Sequence, residues 1–160
     1  MPATLDRPIL CGTDFSRGAD AAVEHAIELG RALHRPVVIA HVMDTGAGAD
    51  AATPQGVAEA ERVMHARVHD RVEKARATLA ARIANSGGAI EPIVLDGRPC
   101  EALVTHAAKI NAAWIVVGAH GASRAHAVRD ATRGWLFGST AERVIRHAER
   151  PVIVIPPTGD

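Results

Sequence analysis

One stretch of sequence decides the fold: Trp114-Ile115-Val116-Val117-Gly118-Ala119-His120-Gly121. Its first four residues form a short apolar run typical of a buried strand, and its glycines let the backbone pass close to a ligand. Further along, Ser139-Thr140-Ala141-Glu142 has the spacing of a capping box, which predicts a helix with Ser139 as its N-cap. The free N–H groups and positive dipole end of such a helix predict an anion seat beside the glycines. A plain turn is the alternative interpretation.

Outward from this stretch, apolar strands and amphipathic helices alternate along the chain. Strands are predicted at residues 9–11, 37–42, 89–95, 113–117 and 151–156. The longest helix follows a small-residue loop at 44–55, and its predicted core stripe is Val57, Met64, Val68, Val72, Ala75, Leu79 and Ile83. This alternation predicts an α/β fold with a parallel sheet covered by helices on both faces.

The strand order follows from right-handed crossovers, which predict a doubly wound five-stranded sheet of order 3-2-1-4-5. Pro92 lacks a backbone donor and therefore places the third strand at an edge. The order reverses between strands one and four, where ligands of such sheets bind, so Thr13 and Asp14 are predicted to meet the loop 118–121 in one crevice. The apolar last strand would be a bare edge in a monomer, which predicts a homodimer through residues 152–155.

Composition limits the function classes. At 160 residues with 48% hydrophobic content, the chain suits one domain spanning 1–160. Lys+Arg and Asp+Glu balance at 18 each, which argues against a nucleic-acid or anionic-membrane partner. No apolar run approaches the roughly 20 residues of a membrane span, and residues 1–6 lack the build of a signal peptide, so we expect a cytoplasmic protein. Cys11 and Cys100 are expected to be reduced, with Cys11 buried and inert.

Six segments distributed over the chain share one family pattern. They are Ile9-Leu10-Cys11-Gly12-Thr13-Asp14-Phe15-Ser16, Ala40-His41-Val42-Met43-Asp44, Gly97-Arg98-Pro99, Ile115-Val116-Val117-Gly118-Ala119-His120-Gly121, Gly138-Ser139-Thr140-Ala141-Glu142-Arg143-Val144 and Pro151-Val152-Ile153-Val154. Together they resemble the universal stress protein family. The resemblance implies a Rossmann-like domain, usually dimeric, whose nucleotide-binding members hold ATP through Gly-x-x-Gly, a nine-residue spacer and Gly-Ser/Thr. Not all members bind it.

The resemblance also implies residue roles, with ATP and Mg as the expected cofactor. Asp14, in the turn with Thr13, would meet the ribose, and the backbone around Val42 would meet the adenine. The phosphates would be held by Gly118, Gly121, Gly138, Ser139 and Thr140. For Asp14 the alternative is a helix N-cap, because an Asp at a strand-to-helix junction also suits that position.

The spacer departs from the family pattern. Sixteen residues, 122–137, separate Gly121 from Gly138 where the binding pattern has nine. The added segment carries Arg124, Arg129 and Arg133, which could fold over a triphosphate as a cationic lid. It could equally fill the pocket. In either case Trp135-Leu136-Phe137 is expected to pack against the sheet.

Other residues give weaker signals. His65 and His69 lie one helical turn apart, as two metal ligands would, but no third ligand is evident and no metal site is predicted. Cys100 stands at a helix start, where the dipole favours thiolate, although an unreactive first-turn residue is the plainer interpretation. His41 and His120 are expected to be packed, hydrogen-bonded or loop residues, although His120 could also contact phosphate.

The sequence therefore predicts an ATP-binding sensor or regulator of a stress response that acts as a dimer. No catalytic residues are predicted, and ATP hydrolysis is expected to be slow or absent. The alternative is an ATP-independent dimeric interaction module whose 122–137 loop occupies the pocket. A third and weaker hypothesis is an adenine-nucleotide enzyme of the α/β type.

Overall fold

The computed structural model describes residues 7–43, 54–84, 87–121 and 137–156, and gives the backbone alone for 54–68. Strands and helices alternate in it, as predicted. In chain order the described elements are β1 (Ile9–Thr13), α1 (Arg17–Ala32), β2 (Val37–Met43), α2 (Pro54–Ile83), β3 (Ile90–Asp96), α3 (Pro99–Lys109), β4 (Trp114–Gly118), α4 (Ser139–His147) and β5 (Val152–Ile155). The strands form one parallel sheet of order β3-β2-β1-β4-β5, which confirms the predicted order.

Alternate residues of β1 serve two separate cores. Leu10 belongs to a buried cluster with Leu103 of α3, and the same cluster includes residues of α4. Cys11 belongs to a second cluster with Ala22 of α1 and Leu79 of α2. Because successive strand residues point to opposite faces, α3 and α4 cover one face of the sheet and α1 and α2 cover the other. The sheet is therefore covered on both faces, as the apolar strands predict.

Both edge strands are those predicted. β3 carries Pro92, which stands opposite Ile39 of β2 in the parallel register. At the other edge β5 pairs with β4 alone, and its four residues Val152–Ile155 are half-buried. The outer side of β5 has no strand against it within the described chain.

Where side chains are described, the helix faces agree with the predicted stripes except at two positions. Ala75 and Leu79 of α2 are buried as predicted, whereas the side chains of Val57, Met64 and Val68 lie outside the described residues. The helical spacing of the apolar residues in the first and last helices also predicts that Leu33 and Ile145 face inward, but both are exposed. Leu33 is the C-cap of α1 and has already left the helical face, and Ile145 is turned about 100° from buried Val144 on α4.

The topology brings the carboxyl ends of β1 and β4 side by side. β1 pairs with β4 from Ile9 opposite Trp114 to Cys11 opposite Val116. Each strand leads into a turn at the same edge of the sheet, and α1 begins there at Arg17. This edge is the reversal point at which the sequence predicts a crevice.

Candidate functional site

The turn after β1 is built by three local hydrogen bonds. Thr13 Oγ1 accepts from Phe15 N at 3.1 Å, and Asp14 Oδ1 accepts from Ser16 N at 3.0 Å. Ser16 is the N-cap of α1, and its Oγ accepts from Ala19 N at 3.2 Å. The alternative role of Asp14 as a helix N-cap is therefore wrong, because Ser16 already fills that position. Asp14 is exposed at the edge of the sheet.

Phe15 holds this turn in an uncommon backbone conformation. Its φ is +63°, which a bulky side chain adopts only when its surroundings impose it. The phenyl ring stacks on His41 with 4.3 Å between ring centroids, and the Arg82 guanidinium carbon lies 5.2 Å from the phenyl centroid. Arg82 Nη2 also donates to the Phe15 carbonyl at 3.4 Å. An aromatic ring and a cation therefore both hold Phe15 in place.

Arg82 and His41, which contact Phe15, are themselves bonded to α1 and β1. Arg82 forms an ion pair with Asp20 in the first turn of α1. His41 shares a 2.9 Å hydrogen bond between its Nδ1 and the Thr13 carbonyl, so it is packed and hydrogen-bonded as predicted. Sequence reasoning missed Arg82, because its contact with Phe15 joins residues 67 positions apart and has no local signal.

The glycine loop after β4 lies against the β1–α1 turn. A Cβ on Gly118 would stand 2.9 Å from the Gly18 carbonyl oxygen, and a Cβ on Gly121 would stand 2.7 Å from Asp14 Oδ2. Both distances are below van der Waals contact. At Gly118 the neighbour is backbone, so glycine is required there, whereas at Gly121 a Cβ would have to displace the Asp14 carboxylate. The two segments predicted to meet do so.

The start of α4 closes the arrangement but differs from the predicted capping box. Gly138 is the N-cap, in an extended conformation, and α4 makes no side-chain cap hydrogen bond. Its N–H donates to the Ala119 carbonyl at 2.7 Å, which fixes the helix start against the glycine loop. Ser139 is consequently the first helical residue rather than the cap. Its hydroxyl does not cap α4, and Ser139 lines the cavity instead.

These segments enclose a cavity of about 510 Å³, a volume usual for a small-molecule site. All the sequence-predicted binding residues line it: Thr13, Asp14, Val42, Gly118, Gly121, Gly138, Ser139 and Thr140. Sequence reasoning missed Pro99 and Leu103 of α3, which form an apolar part of the wall. The amphipathic pattern of α3 showed that Leu103 faces inward but could not show that it reaches this crevice.

His120 also lines the cavity, and its Nδ1 is buried without a hydrogen-bond partner among the described residues. A buried nitrogen of this kind usually finds a partner, because leaving it unpaired costs free energy. The loop that follows, 122–136, lies outside the described residues, so the lid and plug hypotheses for that segment, with Arg124, Arg129, Arg133, Trp135 and Leu136, are not tested by the structure. Phe137 packs against the core cluster on the α3–α4 face, as predicted.

Both thiols are shielded. Burial raises the pKa of Cys11 from 9.0 to about 12. Burial also raises the pKa of Cys100, and this outweighs the opposing effect of the Arg143 charge. The possibility of a thiolate favoured by the helix dipole at Cys100 is therefore not supported, because desolvation of the charged form dominates there.

Among the described residues no group of three or more His, Cys, Asp or Glu side chains could hold a metal ion. The His65 side chain lies outside those residues, so the pair with His69 is not described. No helix in the described part of the chain is long and apolar enough to cross a membrane.

Comparison with known proteins agrees with this geometry. The sequence matches the universal stress protein family over residues 7–156. The chain belongs to that family. Universal stress protein MJ0577 of Methanocaldococcus jannaschii is 23% identical, and the alignment covers 96% of both chains.

Solved structures of universal stress proteins share the fold. The MJ0577 structure superposes with a TM-score of 0.73 at 23% identity, covering 96% of this chain and 98% of the other. The universal stress protein of Archaeoglobus fulgidus in complex with dAMP gives a TM-score of 0.60 at 24% identity, covering 93% and 97%. A universal stress protein in complex with cAMP gives 0.61 at 22% identity, covering 95% and 98%.

Proposed function

We propose that this universal stress protein binds an adenine nucleotide, ATP with Mg, in the cavity between β1 and β4, and acts as a dimeric sensor or regulator in the stress response. The observation that carries the proposal is the close approach of Asp14 to Gly121 beside Gly138, Ser139 and Thr140. Segments far apart in sequence supply these groups to one cavity. The dAMP and cAMP complexes of similar proteins support an adenine nucleotide as the ligand class.

Each part of the cavity suits one part of the nucleotide. The Asp14 carboxylate accepts hydrogen bonds from ribose hydroxyls, and the main chain around Val42 offers donors and acceptors to the adenine edge. The backbone N–H groups of Gly118, Gly121 and the start of α4 bind phosphate oxygens, helped by the helix dipole. The glycines matter because a side chain would hold the phosphate away from these N–H groups.

The lining also favours binding over fast turnover. The chain has two lysines, Lys74 and Lys109, and neither lines the cavity. The described lining would thus hold the phosphates by backbone dipoles and hydroxyls, without the lysine that a P-loop places on the terminal phosphates. We therefore propose at most slow ATP hydrolysis.

The dimer is proposed through β5, because no strand of the described chain pairs with its outer edge. Such an edge usually pairs with another strand or is covered. We also propose a cytoplasmic location, in keeping with a neutral chain and reduced cysteines.

The first experiment identifies the ligand. Freshly purified protein is denatured, released nucleotide is identified by mass spectrometry, and the stripped protein is titrated with Mg-ATP by calorimetry. Co-purified adenine nucleotide, or binding in the micromolar range, is the expected result. No nucleotide and no heat of binding would refute the proposal for the intact chain.

A matched pair of variants then locates the site. Asp14→Asn keeps an oxygen that can accept from Ser16 N but removes the charge, so the turn is retained while ribose binding is weakened. We expect about a tenfold loss of ATP affinity, as for one charge-assisted hydrogen bond. Asp70→Asn, at an exposed position on α2, is the control and should bind like the unmodified protein.

The alternative module, in which the loop fills the pocket, gives a different pattern. Removing residues 122–130 would then create ATP binding that the intact chain lacks. If the loop is a lid, the same deletion weakens binding that the intact chain already shows.

A further inference from the structure

A second cavity, of about 740 Å³, opens between α3 and α4. We call it the α3–α4 groove. It adjoins the β1–β4 cavity, which is the proposed nucleotide site, because Pro99, Ser139 and Thr140 line both. A phosphate held at Ser139 and Thr140 would therefore stand at the junction of the two cavities.

The groove continues from this junction along one face of α4. Thr140, Arg143 and His147 line it and are spaced i, i+3 and i+7, which places them on the same side of the helix. Each step of three or four residues advances about 5 Å along the axis. The groove thus presents a hydroxyl, a guanidinium and an imidazole in succession, leading away from the nucleotide cavity.

The charge of the groove is cationic. Two arginines, Arg98 and Arg143, line the groove, and Glu101 is the single carboxylate among the lining residues. Glu101 lies 3.6 Å from the Arg98 guanidinium. Both side chains of that pair are about 70% exposed, so the attraction is weak and does not hold Arg98 in place. Arg143 makes no hydrogen bond or ion pair with any described residue. A guanidinium with no partner among the described residues, lining a groove of this size, favours an anion with several oxygens.

The Cys100 thiol on the inner wall of the α3–α4 groove is not a reactive group. Cys100 lies in the groove but is 7% exposed, and burial raises the pKa of its thiol despite the nearby Arg143 charge. The thiol therefore stays protonated and adds no negative charge that would compete with an anionic ligand.

We infer that the α3–α4 groove binds phosphates beyond the third of an adenosine polyphosphate whose adenosine end occupies the β1–β4 cavity. The inference rests on the proposed function, since the adenosine end is what brings the phosphate chain to Ser139 and Thr140. The ligand class is an adenosine 5′-polyphosphate of four or more phosphates, either free-ended or joined to a second nucleoside. Arg143 is the main contact for the added phosphate, and His147 lies one turn further along.

The test compares ligands that differ only in length. ATP, adenosine 5′-tetraphosphate and diadenosine tetraphosphate are titrated into the full chain by calorimetry at fixed Mg and ionic strength. We expect both tetraphosphates to bind about tenfold more tightly than ATP, the effect of one added charge-assisted hydrogen bond. If only adenosine 5′-tetraphosphate binds more tightly than ATP, the groove excludes a second nucleoside. The ligand class is then limited to polyphosphates with a free end.

Two arginine variants on α4 distinguish binding in the groove from a general effect of positive charge. Arg143→Gln should abolish the gain of the tetraphosphates and leave ATP affinity within about twofold. Arg146→Gln, which removes an exposed arginine paired with Glu142 at 2.8 Å and outside the groove lining, should keep the gain.

The outcomes are distinguishable from failure of the proposed function. Equal binding of ATP and both tetraphosphates, or loss of the gain in both arginine variants, overturns the groove assignment while the nucleotide cavity stands. Absence of binding by all three compounds overturns the proposed function and this inference with it.

Discussion

Gly121 stands so close to Asp14 that a Cβ at position 121 would lie 2.7 Å from Asp14 Oδ2. The two residues are 107 positions apart in sequence and belong to the turns after β4 and β1. Their approach brings the carboxylate of one turn to the backbone of the other. Any side chain at position 121 must push the carboxylate aside or displace the glycine loop.

The first prediction follows from this contact. Gly121→Val should reduce ATP affinity by at least about thirtyfold, because it moves the carboxylate that we propose binds the ribose and blocks phosphate access at the same time, each costing more than about 1 kcal/mol. Gly121→Ala should have a smaller effect in the same direction. Calorimetry measures affinity, and thermal unfolding shows that the fold is kept.

A glycine outside the cavity provides the control. Gly88 has a φ of +101°, and no heavy atom lies within 4 Å of the position that a Cβ would take there, so Gly88→Ala strains the backbone without entering the cavity. It should lower stability and leave ATP affinity unchanged. Unaltered affinity in Gly121→Val would place the nucleotide elsewhere.

The second prediction concerns Arg82, which supports the turn at Phe15. Arg82→Gln removes the cation–π contact and the ion pair with Asp20, and we expect a loss of about 1 kcal/mol of unfolding free energy. Because Phe15 adjoins Asp14, we also expect ATP affinity to fall several-fold. Urea unfolding and calorimetry measure the two effects separately.

Arg76→Gln, at an exposed position on the same helix, is the matched control and should change neither quantity. Arg82→Lys should restore the ion pair but only part of the affinity, since an ammonium lacks the planar fork that reaches the Phe15 carbonyl. A stability loss with intact affinity in Arg82→Gln would show that Arg82 supports the fold alone.

The third prediction is a pH dependence set by Cys11. In the unfolded chain this thiol loses its proton near pH 9, whereas in the folded protein burial raises its pKa to about 12. The folded state therefore binds more protons over that interval, and its stability falls as pH rises, by about 1.4 kcal/mol per pH unit. The contribution is fully present below pH 9.

Urea unfolding at a series of pH values from about 8 to about 10.5 measures this slope, since the interval spans the pKa of the unfolded thiol. Cys11→Ala should reduce the slope, whatever the cost of the smaller side chain at each pH, and the part that remains includes the smaller contribution of Cys100. In Cys100→Ala the steep slope should persist, since Cys11 is still present. Identical slopes in Cys11→Ala and the unmodified chain would contradict the assignment.

The fourth prediction concerns the outer edge of β5. The carbonyls of Pro151 and Ile155 accept hydrogen bonds from Ile115 N and Ala119 N at 3.0 and 2.8 Å. Backbone groups alternate in direction along a strand, so the N–H of Val154 points away from β4. Val154→Pro removes this outward donor without breaking a bond to β4, and proline is tolerated at an edge.

If the proposed dimer pairs through β5, Val154→Pro should convert it to a monomer in sedimentation experiments. Val154→Thr keeps the N–H and the branched shape, and should remain dimeric. A dimer that survives the proline substitution would be formed by another surface.

Several features of the fold could be predicted from local pattern. The apolar runs around Cys11 and Val116 identify buried strands, the alternation with helices requires a parallel sheet, and Pro92 identifies one edge. From these the strand order follows, because crossovers are right-handed. The predicted site residues follow in turn from the reversal of that order and from the family motifs.

Other features depend on atoms that local pattern does not contain. The sequence around Ser139 satisfies the spacing of a capping box, yet Gly138 is the N-cap because its N–H is bound to the Ala119 carbonyl. Cys100 stands where a helix dipole would favour thiolate, yet burial prevails. Ile145 fits an apolar stripe but is exposed, because it is turned about 100° along α4 from the buried Val144.

The sequence by itself determined the class of fold, the strand order and the residues that gather at the carboxyl edge of β1 and β4, because periodicity, chirality and backbone restrictions act over short distances. Only the tertiary structure decided which distant residue holds the turn after β1 in place and which groove adjoins the cavity. The Arg82–Phe15 contact and the groove shared by α3 and α4 arise from packing between elements far apart in sequence. Such contacts depend on the three-dimensional arrangement of side chains, which no local pattern specifies.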